Sequence, residues 1–96
     1  MKKLILIAIL ASALFANDYT KEDAEECIYN TNLSFDYQRK TGRAFDIRNF
    51  ALVKKNIDAT IFYLEKALVS CESGTEHHKG LTKAYNVFTD IKRTLK

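Results

Sequence analysis

The sequence predicts an all-α protein: a small three-helix bundle, or a four-helix one, around a long central helix and held by one disulfide. Three observations carry this. The 96 residues contain no proline, so long helices run without a forced break. No stretch alternates apolar and polar residues as a half-buried strand does. And three stretches beyond residue 19 repeat apolar side chains at steps of three and four, the spacing of one helix face.

The first residues stand apart from that domain. Met1-Lys2-Lys3 is a short basic start, and Leu4 to Leu14 is an apolar run of 11 residues. Phe15-Ala16 follows, and then the polar Asn17-Asp18. A basic start, an apolar run well short of the ~20 residues a spanning helix needs, and a small residue before a polar break describe a cleavable secretory signal. The expected signal is 1–16, with a cut after Ala13 as the second choice. The single helical domain is then 17–96, in the periplasm or secreted, with no stable membrane anchor after cleavage. Without Lys2 and Lys3 the domain has 13 Lys plus Arg against 12 Asp plus Glu, a net charge of +1. That near balance argues against nucleic acid as a partner.

Helix one is expected over about 20–35. Thr20 is a candidate N-cap, and Glu22, Asp23, Glu25 and Glu26 crowd the first turns, where the helix dipole favours acids. Ala24, Cys27, Ile28, Thr31 and Phe35 share one face by spacing. Arg39, Lys40 and Gly42 offer a later stop, but Ser34 to Asp46 is polar and irregular.

Helix two is expected over about 46–72, with Asp46 as its candidate N-cap. Ile47, Phe50, Ile57, Ile61, Leu64, Leu68 and Cys71 keep the repeat, broken only at Lys54. Leu52, Val53, Ala59, Phe62 and Val69 widen the apolar arc, so this helix needs cover on more than one side. Ser73-Gly74 is its exit. Helix three is expected over about 76–95, capped by Thr75. Leu81, Ala84, Phe88, Ile91 and Leu95 repeat without a break.

Cys27 and Cys71 both lie in the exported part, and an even cysteine count in an oxidising compartment predicts a disulfide. Closing a loop of 44 residues is worth roughly 4 kcal/mol in the chain-entropy account. The bridge also tests the layout. With a turn at Gly42 and antiparallel helices, Cys27 lies 15 residues before the turn and Cys71 29 after it. At 1.5 Å per residue they miss by roughly 20 Å, whereas a bridge needs Cα atoms within ~7 Å. Three arrangements resolve this: an early end to helix one with an extended or partly helical crossover over 34–46, a break in helix two, or pairing between chains in a homodimer. The first is preferred.

Candidate sites are sparse. His77 and His78, near Glu72 and Glu76, are weak metal candidates, because neighbours at i and i+1 point apart on a helix. Cys27 and Cys71 are assigned to the disulfide rather than to metal or redox chemistry. Phe45, Phe62 and Tyr63 form a candidate partner surface if they fall outside the core arc. The sequence has no serine elbow, no phosphate loop and no haem-attachment motif, so no catalytic residue, cofactor or metal is expected.

The expected function is non-catalytic: a small exported helical protein that binds another protein. In general build, with a signal peptide, a helical domain of this size and one disulfide of comparable span, it is similar to periplasmic acid-stress chaperones. That likeness makes a stress chaperone the alternative. A third reading is an inhibitor or exclusion-type protein of an envelope enzyme or secretion system.

The exported protein is expected to begin at Asn17 and, unreduced, to weigh two hydrogens less than its reduced form. Mass spectrometry of the intact protein decides both points; a chain retaining Met1, or a mass that reduction leaves unchanged, would contradict them.

Overall fold

The computed structural model describes residues 19–95; the expected signal peptide, 1–16, lies outside them. The fold is all-α, three compactly packed helices joined by a Cys27–Cys71 disulfide. Helix α1 spans Lys21–Asp46, α2 spans Phe50–Ser70 and α3 spans Glu76–Thr94. Helix α2 is central and touches both others, although α1, with 26 residues against 21, is the longer. No Cα of α1 comes within 8 Å of one in α3.

The helix starts follow local chemistry. The Thr20 hydroxyl accepts from the Asp23 backbone N–H at 3.0 Å, and the Asp23 carboxylate accepts from the Thr20 N–H at 3.0 Å, a reciprocal capping box. The Thr75 hydroxyl accepts from the His78 N–H at 3.1 Å. Helix α3 is continuous from Glu76 through Gly80.

Two expectations about the first half are overturned. Helix one does not end near 35 and no extended crossover occupies 34–46: α1 continues through Gly42 to Asp46. And Asp46 does not cap helix two: Asn49 does, accepting from the Leu52 N–H at 3.2 Å. The actual stop is Arg48, which takes the left-handed conformation at φ 60°. The Arg48 N–H bonds to the Phe45 carbonyl at 3.0 Å and the Asn49 N–H to the Ala44 carbonyl at 2.9 Å. This is a Schellman termination with arginine where glycine is usual. Asn49 closes α1 and opens α2, so the reversal is tight.

Moving the turn from Gly42 to Arg48 resolves the disulfide arithmetic. Cys27 lies 21 residues before Arg48 and Cys71 23 after it. Two antiparallel helices of matched length bring them level, and their Cα atoms stand 4.7 Å apart. The bridge is within one chain.

The α1–α2 seam explains why polar residues 34–46 are helical. On α1 it runs Cys27, Asn30, Ser34, Tyr37, Thr41, Ala44, in steps of three and four. On α2 it runs Val53, Asn56, Thr60, Tyr63, Ala67, Ser70, with the same steps. All are buried except the two tyrosines, which are half-buried and stack on each other with centroids 5.7 Å apart. The hydroxyls do not look for partners across the seam. Those of Ser34, Thr41, Thr60 and Ser70 donate to carbonyls of their own helix, those of Thr31, Tyr37, Asn56 and Lys66, at 2.8 to 2.9 Å. Satisfied in this way, a small polar side chain is cheap to bury and lets two backbones approach closely. Asn30 adds one cross-link, donating to the Ser70 hydroxyl at 3.4 Å.

Helix α3 covers a different side of α2. At one end Leu64, Ala67 and Leu81 pack on the disulfide. At the other, Val53, Ile57 and Ile61 receive Tyr85, Phe88, Ile91 and Leu95. Ile57, Leu64 and Val53 are fully buried, each worth on the order of 2 kcal/mol of transfer free energy. Two polar pins edge this contact: the Tyr85 hydroxyl donates to the Glu65 carboxylate at 2.9 Å, and Lys92 pairs with Asp58 at 2.9 Å. The bond to Glu65 raises the Tyr85 pKa above its ordinary value, and the bond to Asp58 raises that of Lys92. Both pins face solvent and contribute little to stability.

Two glycines are expected to respond oppositely to alanine. A Cβ at Gly42, inside α1, meets nothing within 4 Å, so Gly42→Ala raises stability by about 1 kcal/mol through helix propensity. Gly74 sits at φ 85°, so Gly74→Ala lowers it by ~1 kcal/mol. Urea unfolding of the oxidised protein measures both.

Candidate functional site

His77 and His78 occupy the first turn of α3. Being adjacent on a helix they point apart, and each reaches a different neighbour. His77 Nε2 lies 3.2 Å from the Thr31 hydroxyl on α1. His78 Nε2 lies 3.2 Å from the Leu68 carbonyl on α2. The same Thr31 oxygen is 3.7 Å from Cys71 Sγ. The sulfurs of Cys27 and Cys71 and a ring nitrogen of His77 all lie within 4.8 Å of one another. One junction therefore gathers α1, the end of α2 and the start of α3 around the disulfide. Cysteine count and compartment paired Cys27 with Cys71, but nothing along the chain marked Thr31, which reads as an ordinary helix-face residue.

The three aromatic residues expected at a partner surface do not form one patch. Phe45 stands at the hairpin turn, edge-on to Phe50 with centroids 6.1 Å apart. Phe62 and Tyr63 lie along α2, about 20 Å further on by helical rise. Phe62 is exposed, edge-on to Tyr63 at 5.1 Å, with the Lys66 ammonium 5.3 Å from its ring centre. Tyr63 is half-buried in the stack with Tyr37. A shallow cleft beside Phe62 is lined by Asp23, Glu26, Tyr29, Lys66 and Val69.

Further exposed apolar side chains lie on α1 and α3. Thr31 faces α3, because its hydroxyl reaches His77. Ile28 and Phe35 lie three residues before it and four after, on the same side of α1. Ile28 is 61% exposed and Phe35 46%. On α3, His77, Ala84 and Ile91 form the row nearest α1, and Val87 beside it is 53% exposed. Beyond the Thr31–His77 contact the backbones of α1 and α3 stay apart, with no Cα pair within 8 Å, so these side chains border the gap between the two helices over α2. The helix-one face that spacing assigns to Ala24, Cys27, Ile28, Thr31 and Phe35 is buried only at Cys27 and Thr31: Asn30, Ser34 and Thr41 take the seam, which leaves Ile28 and Phe35 exposed.

No helix among the described residues is long and apolar enough to cross a membrane. No family model, no curated protein and no solved structure matches the chain.

If the groove side chains are surface and not core, Ile28→Ser and Phe35→Ser each change unfolding free energy by less than about 0.5 kcal/mol. Ile57→Ala, inside the α2–α3 contact, lowers it by about 2 to 5 kcal/mol. Denaturant melts of the three variants separate these outcomes.

Proposed function

We propose that this protein is an exported, non-catalytic binding protein, and that its partner is another protein docking in the groove between α1 and α3. The observation that supports this is the exposure of Ile28, Phe35 and Val87 along one open side of so small a domain. Apolar side chains that line a groove with helical walls suit an amphipathic helix of a partner, which presents side chains at i, i+3, i+4 and i+7 to such a surface. The disulfide and the seam hold α1 on α2, and the apolar contact with α2 together with the Thr31–His77 bond holds α3, so the walls are placed beforehand, which lowers the ordering cost of binding.

The test is capture from an envelope extract on immobilised mature protein, with Ile28→Lys/Phe35→Lys as the matched control. One stoichiometric protein retained by the wild type and lost by the control is the expected result. Equal retention by both would move the interface off this groove. Many unrelated proteins retained in substoichiometric amounts would favour the chaperone reading instead. A dimer in sedimentation of the wild type alone would make the partner a second copy.

A further inference from the structure

We propose that the reduced form of this protein holds one zinc-like divalent ion on Cys27, Cys71 and His77. The three ligand atoms come from α1, the residue that ends α2 and α3, and already lie within 4.8 Å of one another. On a tetrahedral ion with Zn–S near 2.3 Å and Zn–N near 2.0 Å, ligand atoms stand roughly 3.5 Å apart. Side-chain adjustments of about 1 Å therefore suffice, without moving a helix. Two thiolates and an imidazole are a set that zinc accepts, and water completes the fourth position.

The scaffold for this set does not rest on the sulfur–sulfur bond alone. The Arg48 turn and the small-residue seam keep α1 and α2 in register, and that register is what sets Cys27 beside Cys71. Thr31 supplies the outer contact: its hydroxyl now holds the His77 ring and touches Cys71, and on metal entry it is placed to accompany either ligand. The sulfurs are buried, whereas His77 is exposed, so the site is closed on the protein side and has an entry path at the ring.

The site exists only in one redox state. In the oxidised protein both sulfurs are committed to each other. A dithiol reductant transfers two electrons and two protons to the disulfide, giving two thiols and leaving the reductant as its own disulfide. Metal entry then releases the two thiol protons to solvent. A chain that has not yet formed its bridge starts in the metal-binding state. This inference does not rest on the proposed groove: His77 stands at one end of it, but the apolar contacts proposed there are Ile28, Phe35 and Val87, and none of them is a ligand.

Cobalt is the probe, because a tetrahedral thiolate site gives it a charge-transfer band and intense visible bands. The full mature protein, reduced with a phosphine under anaerobic conditions, is titrated with Co²⁺, and Zn²⁺ is then added to displace it. One equivalent per chain, bound with the charge-transfer band, is the expected result, with no band in the oxidised protein. His77→Ala is expected to weaken binding by more than about tenfold, a loss that even an outer-sphere change produces. Absence of the band in the reduced wild type overturns the proposal, as does His77→Ala binding as tightly as wild type. Circular dichroism follows each step. If reduction alone melts the helices, cobalt is expected to restore them as the band appears, and a band from a chain that stays unfolded overturns the proposal as well.

Discussion

The register of α1 against α2 is the constraint from which the rest of the molecule follows. It is set at Arg48, where one left-handed residue ends α1 and lets Asn49 begin α2 at once. Because the turn has almost no length, residues placed symmetrically about Asn49 and Phe50 come level. Asn30 meets Ser70, Tyr37 stacks on Tyr63, and Cys27 meets Cys71. A turn placed six residues earlier would separate the cysteines by about 20 Å of helical rise. The disulfide therefore locks a register that the turn and the seam define.

The seam itself is built from small side chains, several of them polar, and that choice pushes the large apolar residues elsewhere. Ser34, Thr41, Thr60 and Ser70 satisfy their hydroxyls within their own helices and present methyl and methylene surface to the partner. With that face filled, Ile57, Ile61 and Leu64 turn to α3, while Ile28, Phe35 and Phe62 turn to solvent. The exposed apolar surface is a direct consequence of how α1 and α2 meet. Helix α3 touches only α2 along most of its length, through two apolar clusters and two exposed polar pins. It is the element with the least holding it, and the junction of Thr31, His77, His78 and the disulfide ties down its first turn.

The candidate site was legible only in part. The pairing of Cys27 with Cys71 follows from compartment and count. Its neighbourhood does not, because Thr31 and His77 are 46 residues apart and meet only once α3 folds back over the end of α2. The adjacency of His77 and His78 did carry information. It implied that the two rings point to different places, and they do, one to α1 and the other to α2. The aromatic residues were harder, since Phe45, Phe62 and Tyr63 differ in surroundings that only packing assigns.

By itself the sequence determined the fold class, the three helical stretches, the Thr20 and Thr75 caps, the core face of α3 and the disulfide. Each of these rests on local chemistry or on apolar periodicity, both readable along the chain. Only the tertiary structure decided where α1 stops and which of its faces is buried. The stop is an arginine in a conformation that glycine usually marks, while Gly42 sits harmlessly inside the helix. The buried face repeats in steps of three and four, but its residues are asparagine, serine and threonine, so a search for apolar periodicity passes over it. What makes those residues core is a second helix in register, and no local signal states that register.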